Sequence, residues 1–221
     1  MKYPCETYVN LDGTEFESVA SGGGCYEIDV WSTKKDLSVA SVFDVYDGVC
    51  VLVDGLKELD CRPGTSVRLS GFSGGDGGEK VGKIKFAIYT DMTKEEAAKE
   101  LSLVREKAWP KLREWQLDCS EFVLKTRFFH YGKARPDSRE TKIMQDILEE
   151  TEGKRPTGDS TCLSDLHIFM YYGSENSFNF GMETGSAEGG GPHQANEHIV
   201  CVDLIKRIKQ LALFIMRAGV E

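Results

Sequence analysis

The sequence predicts an α/β protein in which a β-α-β-β-α-β unit is inserted between two parts of an incomplete α/β layer. Two observations predict the inserted unit. Residues Cys25 to Trp31 and Lys83 to Tyr89 alternate apolar and polar side chains with the period of a half-buried strand, and segments with helical spacing follow each of them. A third observation predicts the flanking layer: after Pro136, helical stripes alternate with a short apolar strand and a glycine-rich loop.

Thr7 to Leu11 reads as a short strand that stops at the turn signal Asp12-Gly13. Glu15 to Ser21 reads as extended, broken by Gly22-Gly23-Gly24. In the first strand of the unit, Tyr26, Ile28 and Val30 share one face, and Glu27 and Asp29 share the other. Val45, Val49, Leu52, Val53 and Leu56 define a helix over 42–59, stopped by Arg62-Pro63-Gly64. Val67 to Leu69 is the next strand, the glycine-rich Ser73 to Gly78 a hairpin or flexible loop, and Lys83 to Tyr89 its return. Thr93-Lys94-Glu95-Glu96 has the form of a capping box and opens a long helix to about Trp115. Glu121 to Phe129 completes the unit as its last strand.

Beyond it, Ser138 to Thr151 and Ser160 to Tyr171 are expected as helices and Ser177 to Phe180 as a strand. Gly185 to Pro192 is a loop, and Ile199 to Arg217 a final helix whose stripe of Leu204, Ile208, Leu211 and Ile215 is expected to pack in the core. Residues 25–130 thus form one expected domain, and residues 1–24 with 131–221 the other.

The chain has 221 residues, a net charge of -9 and 40% hydrophobic residues, which suits a globular protein with a sizeable core. Its acidity argues against a nucleic-acid partner, because phosphate neutralisation needs a basic surface. No apolar run is long enough to span a bilayer, and Met1 to Cys5 begins no apolar leader. The seven cysteines are dispersed without a paired motif, as expected of reduced thiols in the cytoplasm.

Three places carry candidate chemistry. In Gly189-Gly190-Gly191-Pro192-His193-Gln194-Ala195-Asn196-Glu197-His198, a histidine follows a flexible loop and precedes a helix, a common setting for a metal ligand. By its residues alone, His193 fits a surface histidine better, with Asn196 as the helix cap. Asp12 follows a strand, where a carboxylate can face a site of an α/β protein or simply open a turn. In Gly158-Asp159-Ser160-Thr161-Cys162-Leu163-Ser164-Asp165, Asp159 or Ser160 suits a helix cap and Ser164-Asp165 can face a site. No serine-hydrolase elbow and no phosphate loop is present.

Taken together these segments resemble the acetylornithine deacetylase, succinyl-diaminopimelate desuccinylase, aminoacylase and carboxypeptidase G family of zinc metallopeptidases. Ser164-Asp165, Phe178-Asn179-Phe180-Gly181 and Gly191-Pro192-His193-Gln194-Ala195-Asn196-Glu197 follow in the family's order, before its closing helix. Tyr8-Val9-Asn10-Leu11-Asp12 with Gly22-Gly23-Gly24 is similar to the aminoacyl-histidine dipeptidase branch.

The resemblance implies an incomplete zinc-peptidase catalytic domain with an inserted ferredoxin-like lid that mediates dimerisation. It implies two zinc ions, with Asp12 a ligand of one and His193 of the other, and Ser164 and Asp165 on the substrate. The substrate class it implies is a dipeptide or N-acyl amino acid, cleaved at an amide bond. The family's His-x-Asp pair, bridging aspartate and Glu-Glu pair have no counterpart ahead of Asp12. The lid histidine is missing from Trp31 to Asp44, and Gly77-Gly78-Glu79-Lys80-Val81 stands in place of the lid's Asn-x-Ile-Pro. The expectation is therefore a C-terminal portion, weak or inert alone, with a partner polypeptide supplying the missing half. The alternative is a non-catalytic binding or dimerisation module that keeps the fold.

Overall fold

A computed structural model describes residues 6–11, 16–34, 42–74, 81–135, 137–159, 163–182 and 195–219. In chain order its elements are β1 (Val9–Asn10), β2 (Phe16–Glu17), β3 (Val19–Ala20), β4 (Gly22–Ser32), α1 (Val42–Asp60), β5 (Thr65–Gly74) and β6 (Val81–Thr90). There follow α2 (Lys94–Glu114), β7 (Leu117–Cys119), β8 (Val123–Leu124), β9 (Gly132–Lys133), α3 (Arg139–Glu152), α4 (Leu166–Tyr172), β10 (Phe178–Phe180) and α5 (Cys201–Ala218). They fall into two compact units, residues 22–131 and residues 1–21 with 132–221.

The unit of residues 22–131 is an antiparallel sheet of order β5-β6-β4-β7, with α1 and α2 packed on it. This is the strand order that a β-α-β-β-α-β chain takes when each helix returns it across one strand, and it matches the ferredoxin-like expectation. The alternation in sequence sorts the two faces. Tyr26, Ile28 and Val30 of β4 and Ile84, Phe86 and Ile88 of β6 are buried against Leu52 and Leu56 of α1 and Leu101 and Leu112 of α2. On the opposite face Glu27 is ringed by Lys83, Lys85 and Lys125 at 3.5–3.7 Å. The capping box at the start of α2 is complete. The Glu96 amide donates to Thr93 Oγ1 at 3.2 Å, and the Thr93 amide donates to Glu96 Oε2 at 2.9 Å.

Two expectations for this unit are corrected. Gly22-Gly23-Gly24 does not break the chain but opens β4, paired to Thr90, Tyr89 and Ile88. The glycines answer crowding by the neighbouring strand. Gly23 has φ +121°, a Cβ there would collide with the Ile88 carbonyl, and one on Gly22 would lie 2.6 Å from the Thr90 oxygen. The last strand is not continuous over Glu121 to Phe129 either. β7 begins directly after α2, and β8 and a bridge from Gly23 to Phe129 continue along β4. The ladder is interrupted because hydroxyls replace carbonyls as acceptors: Asp29 N–H donates to Ser120 Oγ and Cys25 N–H to Thr126 Oγ1.

The second unit holds the small sheet β1-β10-β2, with β10 parallel to β1 and antiparallel to β2. Phe16, Phe178 and Phe180 form its core with Met144, Ile147 and Leu148 of α3 and Phe214 of α5. Ala20, Ala134, Leu166 and Met170 form a smaller cluster between α4 and the β3-β9 pair. Ser138 caps α3, accepting from the Thr141 amide.

The stripe expected to pack α5 into the core faces outward instead. Leu204, Ile208 and Ile215 are 36%, 58% and 62% exposed, and of the four only Leu211 packs against the core. Gln210 and Phe214 are buried in their place. Phe214 meets Phe178 edge-on at 5.5 Å, and Gln210 Nε2 donates to Thr151 Oγ1 at 2.8 Å and to Glu152 Oε1 at 2.9 Å. The stripe is only part of the helix's apolar surface, and the contacts of Gln210 with α3 and of Phe214 with Phe178 decide its rotation. Caps differ too. The cap residue of α4 is Asp165, without a side-chain bond, so the helix starts after Asp159. That of α5 is Val200, not Asn196.

Candidate active site

The register of the small sheet places three polar side chains in one row. Asn10 on β1 stands opposite Asn179 on β10, which stands opposite Glu17 on β2. Their neighbours Val9, Phe178, Phe180 and Phe16 belong to the apolar core, since successive residues of a strand point to opposite faces. Asn179 is fully buried and Glu17 only 5% exposed.

The row is joined by hydrogen bonds. Asn10 Nδ2 donates to Asn179 Oδ1 at 2.8 Å, and Asn179 Nδ2 donates to Glu17 Oε2 at 2.6 Å. Asn179 Nδ2 also donates to Ser164 Oγ at 3.2 Å, which ties the segment ahead of α4 to the row. Ser164 is held a second time through its carbonyl, which accepts from His167 Nδ1 at 2.8 Å. His167 is itself buried. Glu17 has no cation within ion-pair distance among the described residues, so this carboxylate leans on a neutral amide. Alongside, the Ser18 amide donates to the Gly158 carbonyl at 2.8 Å, and a side chain at Gly158, where φ is +78°, would collide with Ser18.

Of the residues singled out from sequence, Ser164 sits at this row, half-buried. Asp165 follows it at the start of α4, also half-buried. Asp12 and His193 lie outside the described residues. Glu17, Asn179 and His167 were not expected. One signal was present in the sequence: a polar residue between Phe178 and Phe180, where a strand that buries both faces would be apolar throughout.

A separate cavity of about 280 Å³ is lined by Phe16, Glu152, Lys154, Asp159, Lys206 and Arg207. Its charges largely answer one another. Glu152 Oε1 takes Lys206 and Arg207, each at 3.0 Å. Burial, the largest influence on Glu152, pushes its carboxyl up, but bonds from Gln210 and Lys206 and the charge of Arg207 bring it below the usual carboxylate range.

Among the described residues no group of three histidine, cysteine, aspartate or glutamate side chains could hold a metal ion. The row offers a single carboxylate, amides and a hydroxyl, and the histidine beside it spends Nδ1 on a carbonyl. The described donors therefore do not fit a zinc centre, which takes three or four ligands of nitrogen, sulfur or carboxylate oxygen. Among them, too, no helix is long and apolar enough to cross a membrane.

No protein-family model and no curated protein matches the sequence. Solved structures do. A tripeptidase from Staphylococcus aureus matches 96% of this chain and 57% of its own, with a TM-score of 0.69 and 12% identity. The dipeptidase Dug1p of Saccharomyces cerevisiae matches 96% of this chain and 57% of its own, at 0.62 and 15%. Human carnosine dipeptidase 1 matches 94% and 57%, at 0.61 and 12%. At such identities the likeness is one of fold. It falls on peptidases and dipeptidases, the group the sequence resembles, and this chain spans little more than half their length.

Proposed function

We propose that residues 1–221 form the C-terminal part of a dinuclear-zinc peptidase or amidohydrolase acting on a dipeptide or N-acyl amino acid. The observation that carries this is the fold likeness to peptidases over nearly the whole chain, joined to the motif resemblance at Asp12, Ser164-Asp165 and His193. In this reading the unit of residues 1–21 and 132–221 is part of the catalytic domain. Asp12 is a ligand of one zinc, His193 of the other, and Ser164 and Asp165 contact substrate. The unit of residues 22–131 is the lid.

The polypeptide of residues 1–221 is expected to be weak or inert by itself, because the resemblance assigns each zinc one ligand within it. A second polypeptide segment, supplying the rest of the peptidase fold, completes the site. The outward apolar face of α5, with Val202 at 66% and Met216 at 67% exposure, supports such a cover, since large apolar patches seldom stay solvated. The lid is proposed to pair two copies. β5 is an edge strand of ten residues that exposes Leu69 and Phe72. A cytoplasmic setting suits Cys25, Cys50, Cys61, Cys119 and Cys201, all free thiols.

The alternative, a non-catalytic dimerisation module, is favoured by one observation: no histidine occurs between Trp31 and Asp44, while the lid sheet is intact. Hydrolysis of dipeptides and N-acyl amino acids with zinc present, by this polypeptide alone and with a co-expressed upstream half, separates the two. Activity only in the combined sample supports the enzyme, and no activity in either supports the module.

A further inference from the structure

We infer that Asn179 is a positioning residue that commits the Ser164 hydroxyl to donating, so that the ligand group Ser164 meets is an acceptor oxygen, a carboxylate or an amide carbonyl. The inference rests on the proposal that Ser164 contacts substrate.

An ionised carboxylate only accepts hydrogen bonds. Glu17 Oε2 faces the Asn179 amide at 2.6 Å, so the Asn179 nitrogen must lie on that side. The opposite edge agrees: Asn179 Oδ1 takes the amide hydrogen of Asn10 at 2.8 Å. Asn10 carries an amide that can present either atom, so Glu17 sets the orientation and Asn10 follows it, and the remaining Asn179 N–H points to Ser164 Oγ at 3.2 Å. A hydroxyl that accepts there keeps its own hydrogen for another partner, and no acceptor takes it among the described residues. Ser164 is half-buried, and its backbone is anchored by His167, so the free hydrogen is presented from a fixed support. The burial of Asn179 and Glu17 shields this arrangement from water, which would otherwise let the amide turn over.

The test exchanges the two side chains. In the double variant E17Q/N179D the carboxylate moves to position 179 and the amide to position 17, with charge and volume conserved. The amide introduced at position 17 and Asn10 then donate to the carboxylate introduced at position 179. Ser164 must also donate inward to that carboxylate, leaving only an acceptor outward. The probe is N-acetylglycine, titrated with zinc present into the isotope-labelled chain co-expressed with the upstream half, and followed by NMR. N-acetylglycinamide, which lacks the carboxylate, distinguishes carboxylate from carbonyl as the acceptor. Losing one hydrogen bond corresponds to about five-fold in affinity. The expected result is that Ser164→Ala and the exchange variant each lose about five-fold, that combining them adds nothing, and that the exchange variant melts with the wild type.

If Ser164→Ala binds like the wild type, or the wild type binds neither probe, the substrate role of Ser164 is wrong and the inference falls with it. If Ser164→Ala loses affinity but the exchange variant does not, the inference alone is overturned. Should the exchange variant not fold, Glu17→Gln alone decides: it frees the Asn179 amide to adopt both orientations and should halve the affinity, about two-fold. Unchanged affinity in that variant overturns the inference.

Discussion

Asn179 donates to Glu17 at 2.6 Å across the β10–β2 pair, and both side chains are buried with no cation beside the carboxylate among the described residues. Such a pair is sensitive to the loss of either member in different ways. Asn179→Ala strands a buried charge, which costs about 3 kcal/mol or more. Glu17→Gln keeps the shape and removes the charge, and should cost under about 1 kcal/mol. Urea unfolding of the two variants checks the order. Equal losses would show that the row is ordinary packing.

Gly23→Ala is expected to destabilise the unit of residues 22–131 by more than about 3 kcal/mol. It combines an unfavourable backbone at φ +121° with a collision against the Ile88 carbonyl. Gly71→Ala, a glycine in β5 with open space around it, serves as the control and should change stability by about 0.5 kcal/mol or less. Thermal unfolding of the two variants is the measurement.

On α5, Phe214→Ala should cost about 3–5 kcal/mol, because the ring fills the core against Phe178. Replacing Ile208 and Ile215 together by lysine should leave stability within about 1 kcal/mol, since both are largely exposed. If the outer face recruits other chains, the lysine pair also lowers self-association in light scattering. A large loss of stability in that pair would place the face in the core after all.

Glu152 has its carboxyl lowered relative to the unfolded chain. A lowered folded pKa contributes stability that is present above the unfolded carboxylate value and is lost as pH falls through the folded one. Unfolding free energy should therefore drop on acidification below the usual carboxylate range, and Glu152→Gln should flatten that slope. The same slope in the variant would show that the Lys206, Arg207 and Gln210 contacts carry no proton linkage.

How far the fold was legible depends on how local its causes are. The strands at Tyr26–Val30 and Ile84–Ile88 and the box at Thr93–Glu96 follow from neighbours in sequence, and the structure places them as expected. The glycines at 22–24 were misjudged because their cause, the carbonyls of Ile88 and Thr90, lies on another strand. The rotation of α5 was hidden because Gln210 is buried only through Thr151 and Glu152. In the candidate site Ser164 was visible from its motif, but Asn10, Glu17 and Asn179 meet through strand register, which no spacing encodes. Asp12 and His193 rest on resemblance and lie outside the described residues.

Metal analysis of the purified 221-residue chain reports whether its zinc ligands are complete. After exposure to zinc and exhaustive dialysis, weak, substoichiometric zinc is expected if, as proposed, Asp12 and His193 serve different ions and each ion takes its other ligands from elsewhere. Two tightly held zinc ions per chain would overturn the proposed function, since the polypeptide would then carry a full set of zinc ligands by itself.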